Sequence, residues 1–222
     1  MKVILVMVFS SIIGIIPLSA QKKQKIDTTY AYQTTVMKQV VGLQTQSIQK
    51  DKFYLNSRSN ALIKGGKNRV LLPVNLPNNT KEWYYVFSAS RNEEEITNTL
   101  KTFNLAGELT NFIEQKSSLQ QSVNSLNAPP GANICDIYVV DESNALLFKD
   151  KEDFTYDLSG SRENYKSGIV TVKKKSRNEV FLALNNPDNL YGIHLAIEII
   201  AVVENIGFKE ETIRIPVITY SN

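Results

Sequence analysis

The sequence predicts a mainly β fold, an antiparallel β-sandwich with an inserted helical pair. Three observations predict it. Short runs of alternating or β-branched residues recur along the chain and are separated by Gly, Pro and Asn turn signals. The apolar period changes from two to nearly four in one stretch only, between Ser90 and Val123. The chain is 222 residues long and 42% hydrophobic, enough for one sizeable core, and no repeat or long linker divides it.

The first residues carry an address. Lys2 precedes an apolar stretch from Ile4 to Ile16, broken only by Ser10, Ser11 and Gly14. Pro17-Leu18-Ser19-Ala20 then leads into Gln21-Lys22-Lys23. This is the three-part layout of a secretory signal peptide over residues 1–20, with cleavage after Ala20. The apolar stretch is short for a membrane span. Position 21 is Gln, so no cysteine there accepts a lipid. The expected location is secreted or periplasmic, soluble after signal removal, with no stable membrane insertion.

Residues 21–50 form a polar N-terminal segment whose first part reads as a mobile tail. Val36, Met37, Val40, Val41 and Leu43 fit a short helix and a first strand equally well. A single sandwich domain is expected over 51–222. Phe53-Tyr54-Leu55 reads as a brief strand, and Asn56 to Asn60 as a turn. After Gly65-Gly66, Arg69 to Leu76 reads as a strand placed at an edge or bulge by Pro73, which lacks a ladder N–H. Trp83 to Ala89 is the clearest strand. Trp83, Tyr85 and Phe87 share one face and Tyr84, Val86 and Ser88 the other, so both faces are expected to be covered.

The helical pair is expected at about 92–124. Ser90 with Glu93 fits a capping box, and Glu93-Glu94-Glu95 suits a helix N-terminus. Ile96, Leu100 and Phe103 build one apolar face. Gly107 breaks the pattern, and Leu109, Phe112, Ile113, Leu119 and Val123 suggest a second helix over 108–124. Pro129-Pro130-Gly131 ends the insertion, which is expected to cap one end or edge of the sandwich.

Strands dominate afterwards. Residues 134–148 read as a hairpin turning at Asp141-Glu142-Ser143-Asn144. Residues 149–166 form a polar loop anchored by Phe154 and Tyr156. Gly168–Val172 and Val180–Leu184 are strands around a basic turn that includes Lys173, Lys174 and Lys175. Asn185-Asn186-Pro187-Asp188-Asn189 is a dense turn cluster. Ile193 to Val203 is a long strand, and Thr212 to Thr219 an edge strand or ordered tail around Pro216.

This order resembles the small β-sandwich modules of the Golgi-dynamics (GOLD) type and of the pre-peptidase C-terminal type. The residues that carry the resemblance are the strand ending in a proline turn (Val70 to Pro77) and the aromatic strand (Trp83 to Phe87). They also include Ile137 to Asp141, Phe181 to Asn186 and the closing aliphatic strand at 195–203. It covers about 68–203, with the helices as a departure from the family pattern. The resemblance implies a protein- or carbohydrate-contacting module and carries no catalytic residue onto this chain.

Chemistry-bearing residues are sparse. A formal charge of +3, from 25 Lys and Arg against 22 Asp and Glu, argues against nucleic acid as partner. Cys135 stands alone, so no internal disulfide forms, and its alternation with Ile137 and Val139 reads as a buried thiol. His194 is the sole histidine, too few for a multi-histidine metal site. Asp141, Glu142, Asp150, Glu152, Asp153 and Asp157 invite comparison with a calcium site or a glycosidase pair. Lys149 and Lys151 interleave with them, and a solvated surface accounts for the group better. No catalytic residue, metal or cofactor is expected.

The expected function is therefore a non-enzymatic binding or structural role, contacting a protein or envelope component. The alternative is a carbohydrate-binding module, for which Trp83, Tyr84, Tyr138 and Tyr191 are the candidate aromatic contacts. A hydrolase using surface acidic residues stands third. The processing expectation is checked by mass spectrometry of exported material: the mature N-terminus is Gln21, and an uncleaved chain would contradict it.

Overall fold

The structure is a computed structural model that describes residues 25–173 and 179–221. The expected signal peptide, and Lys174 and Lys175 of the basic turn, lie outside the described residues. The chain divides into two compact units, residues 25–38 with 208–221 and residues 39–207.

Two four-stranded antiparallel sheets form the fold. The first has the order β1 (Lys25–Leu55), β8 (Ile193–Ser221), β3 (Thr80–Ser90), β6 (Ser167–Lys173). The second has the order β2 (Arg69–Asn75), β7 (Glu179–Asn185), β4 (Cys135–Val140), β5 (Arg162–Tyr165). Within residues 39–207 they stack as a sandwich. Trp83, Tyr85 and Phe87 of β3 and Leu195, Ile197 and Ile199 of β8 meet Leu72 and Val74 of β2, Ile137 and Val139 of β4, and Leu182 and Leu184 of β7. Pro73 lies on the edge strand β2, where a missing N–H costs least.

The central strands are covered on both faces. Tyr84 and Val86 of β3, with Ala196, Ile200 and Val202 of β8, pack under α2 (Glu93–Thr102), α3 (Leu105–Glu114) and α4 (Leu119–Asn124). Three helices thus replace the expected pair, and they lie on the outer face of a sheet rather than at an end or edge. The break falls at Phe103-Asn104, while Gly107 sits inside α3. Asn104 offers α3 no side-chain cap; the buried Glu198 of β8 supplies one, its Oε2 accepting from Leu105 N at 3.2 Å. Asn92, not Ser90, caps α2, its side chain accepting from Glu94 N and Glu95 N.

The outer face of the second sheet is covered by α5 (Glu142–Asp150), through Ala145 and Phe148, with Phe154 and Tyr156 beside them. This overturns the expected hairpin at 134–148. Asp141 is an N-cap, its side chain accepting from Asn144 N at 2.9 Å, and Lys151 closes the helix in the left-handed region at φ 65°. The four residues read as a turn are the start of a helix.

Two further differences concern the ends. Residues 25–55 are one strand, where a tail and an undecided segment were expected, and 193–221 are another. In the unit made by their outer portions, Lys38 and Glu211 pair at 2.8 Å. Asn56 to Asn60 is not a simple turn, because α1 (Arg58–Ile63) begins there.

A buried amide joins four segments of the sandwich unit. Asn186 is fully buried. Its Nδ2 donates to the carbonyls of Leu55 (3.2 Å), Asn56 (3.1 Å) and Tyr191 (2.9 Å), and its Oδ1 accepts from Asp188 N at 3.0 Å. Its backbone N–H donates to Asn68 O at 3.0 Å. Truncation to Ala removes these side-chain bonds, the one to Leu55 from a buried site. Asn186→Ala should lower unfolding stability by about 3 kcal/mol, measured by urea titration; an unchanged midpoint would remove the amide from this role.

Candidate functional site: a basic groove between the first and last helices

A concave surface with a single chemical character lies between α1 and α5. Ser57 caps α1, its Oγ accepting from Asn60 N at 3.1 Å. The helix ends at Lys64, and Gly65 and Gly66 follow at φ 81° and 93°, a left-handed pair that turns the chain into β2. No residue of α1 is buried. The helix is held by polar contacts with the 188–190 loop instead. Arg58 N donates to Asp188 O (3.1 Å), Ser59 N to Asn189 O (3.2 Å), and Asn60 Nδ2 to Leu190 O (3.3 Å).

The groove has a volume of about 750 Å³. Val70, Leu71 and Phe148 contribute apolar surface, and Leu62 adds its side chain from α1. The charges come from Arg58, Lys67, Arg69, Lys149 and Lys151, and no Asp or Glu lines it. Among the described residues none of these five cations joins an ion pair; the pairs are Lys38–Glu211, Lys52–Glu93, Lys81–Glu204 and Arg91–Asp188. Arg69 is the fixed member. Its Nη1 donates to Phe148 O at 2.8 Å, and its guanidinium sits 4.9 Å from the centre of the Phe148 ring. Partial burial, and then the like charge of Arg58, pull its pKa below the usual arginine value. An anion between the two arginines would relieve that repulsion.

The lining contains no Ser, Thr, Cys, His, Tyr or carboxylate. It offers N–H donors, positive charge and apolar surface, which bind anions.

The aromatic candidates lie in four separate places. Trp83 is in the core between the sheets and Tyr84 in the core under α2–α4, both essentially without exposure. Tyr84 OH donates to Glu82 Oε1 at 2.6 Å. Tyr138 packs edge-on to Phe154 at 5.2 Å in the cluster under α5. Tyr191 is exposed, with the Arg91 guanidinium 4.0 Å from its ring centre and Asp188 bridging to Arg91 at 2.6 Å. Cys135 is fully buried, and burial pushes its thiol pKa up.

The acidic candidates disperse into caps and loops. Asp141 caps α5, Asp157 Oδ1 accepts from Ser159 N and Oγ, and Glu142, Asp150, Glu152 and Asp153 are exposed. Among the described residues no three His, Cys, Asp or Glu side chains gather in a group suited to a metal. His194 lies away from the groove, opposite Ser90 in the ladder, with its ring 4.9 Å from that of Tyr54.

The groove cations were not singled out from sequence. Residues 53–80 carry Arg58, Lys64, Lys67 and Arg69 and no Asp or Glu, a one-sign stretch that was there to be read. Lys149 and Lys151 were noticed only as neighbours of acids.

Burial holds His194 below its ordinary pKa of 6.5, with Lys52 acting in the same sense and Glu93 against it. The unfolded chain therefore takes up this proton first on acidification. The resulting stabilisation is present above pH 6.5 and is lost as pH falls through the lower folded value. Urea midpoints should drop between about pH 7 and about pH 5.5, and His194→Gln should flatten that drop. An equal drop in the variant would assign the effect elsewhere.

No family model matches this chain, and no curated protein matches it.

Proposed function

We propose that the chain is an exported, non-catalytic binding module whose ligand is an anionic component of the cell envelope. The observation that carries this reading is the groove lined by Arg58, Lys67, Arg69, Lys149 and Lys151 without a carboxylate. Cations gathered without partners repel one another, and an arriving anion converts that repulsion into attraction. A lining of N–H donors, positive charge and apolar surface suits the binding of an anion. The signal-like N-terminus supports an envelope location, and the resemblance to GOLD-type and pre-peptidase C-terminal-type modules supports contact over catalysis.

The carbohydrate-binding alternative rests on Tyr191, whose ring is exposed but already stacked by Arg91. The hydrolase alternative has weaker support, since its acids are spread through caps and loops.

Calorimetry with inorganic tripolyphosphate tests the groove. Binding should be measurable at low salt and weaken as salt rises. Lys67→Gln with Lys149→Gln, both at exposed positions, should weaken it by about tenfold, given the usual worth of charge-assisted hydrogen bonds. Absence of binding, or a double variant that binds as the wild type does, would sink the reading.

A further inference from the structure

We infer that the anionic component is a lipid surface, with headgroup phosphates entering the groove while Leu62 and Ile63 insert among the lipids beside it. The inference rests on the groove reading and deepens it.

Leu62 and Ile63 are 74% and 81% exposed, adjacent, and in the last turn of α1. No residue of their helix is fully buried; Ser59, Asn60 and Ala61 are half-buried and Leu62 and Ile63 are not. Polar contacts to the 188–190 loop hold α1 in place without them. Two large aliphatic side chains are thus presented to solvent on a positioned support.

Their surroundings select the occupant. Leu62 lines the groove together with Lys149 and Lys151. Arg58 precedes the pair on α1, and the exposed Lys64 and Lys67 follow it. Exposed aliphatic residues next to a cation-lined groove match an anionic bilayer, whose phosphates attract the cations while its acyl boundary accepts the aliphatic side chains. A soluble polyanion would meet the cations and leave Leu62 and Ile63 in water. Exposed Asp150 and Glu152 flank Lys149 and Lys151 in sequence but do not line the groove. Among the described residues no helix is long and apolar enough to cross a membrane, and surface docking requires none.

The test uses the full mature chain in vesicle co-sedimentation. Vesicles of phosphatidylcholine with about 30% phosphatidylglycerol should bind it, and phosphatidylcholine alone should not. Ile63→Ser, at a position outside the groove lining, should weaken vesicle binding by about tenfold while tripolyphosphate binding stays at the wild-type level, which also reports an intact groove. Lys67→Gln with Lys149→Gln should weaken both. Tripolyphosphate binding without vesicle binding would overturn the lipid assignment and leave the groove reading standing. So would vesicle binding indifferent to the serine variant, or a single-stranded oligonucleotide that binds more tightly than the vesicles. Failure of both ligands would sink both readings.

Discussion

The groove depends on a side chain that does not line it. Asn186 ends the central part of the second sheet and spends its amide on carbonyls from the end of β1, the residue after it, and the 188–191 loop. Those contacts fix where β1 stops and where α1 starts. The same loop then receives the first N–H groups of α1, through Asp188 and Asn189. The backbone bond from Asn186 N to Asn68 O sets the entry to β2, one residue before Arg69. Asn186 thus reaches both sides of the groove, through its side chain to the chain entering the helix that bears Arg58 and through its backbone N–H to the strand that bears Arg69. Such an amide is costly to bury and costly to replace, because each lost donor leaves an acceptor without its partner.

The remaining architecture follows from strands with two apolar faces. β3 and β8 alternate, yet neither alternation is apolar against polar: Trp83 and Tyr85 face one way and Tyr84 and Val86 the other. A strand of that kind needs a layer on each side. The second sheet supplies one and α2–α4 the other. The same logic recurs on β7, where Leu182 faces inward and Ala183 meets Phe148 of α5. The sandwich is therefore helix-covered on both outer faces, and α5 arrives at the groove because it is first needed as a cover.

Strands were legible because period two survives inspection by eye: Ile193 to Val203 and Trp83 to Ala89 appear in the sheets as read. Pro73 announced its edge position through the missing N–H. Short helices were not legible. Asp141-Glu142-Ser143-Asn144 has the composition of a turn and of a capped helix start alike, and only the packing of Ala145 and Phe148 on the sheet decides between them. Capping by Glu198, distant by 93 residues from Leu105, leaves no local signal at all. Asn186 was visible as a turn residue, but its bonds run to residues 55, 56 and 191. The groove was scattered for the same reason: its cations sit in two stretches, and only the fold brings them to one surface.

The bond from Arg69 to the Phe148 carbonyl has one more consequence. It joins a groove cation to the closing turn of α5, the carbonyl end of that helix, where positive charge is favoured. An anion that draws the Arg69 guanidinium toward itself competes with that carbonyl, whereas one that accepts from the remaining N–H groups leaves it in place and locks the turn. Binding of an anion in the groove would then be thermodynamically linked to fraying of α5. Amide exchange at Lys151 and Glu152, whose N–H groups close that turn onto Phe148 and Leu147, is where such linkage would be written.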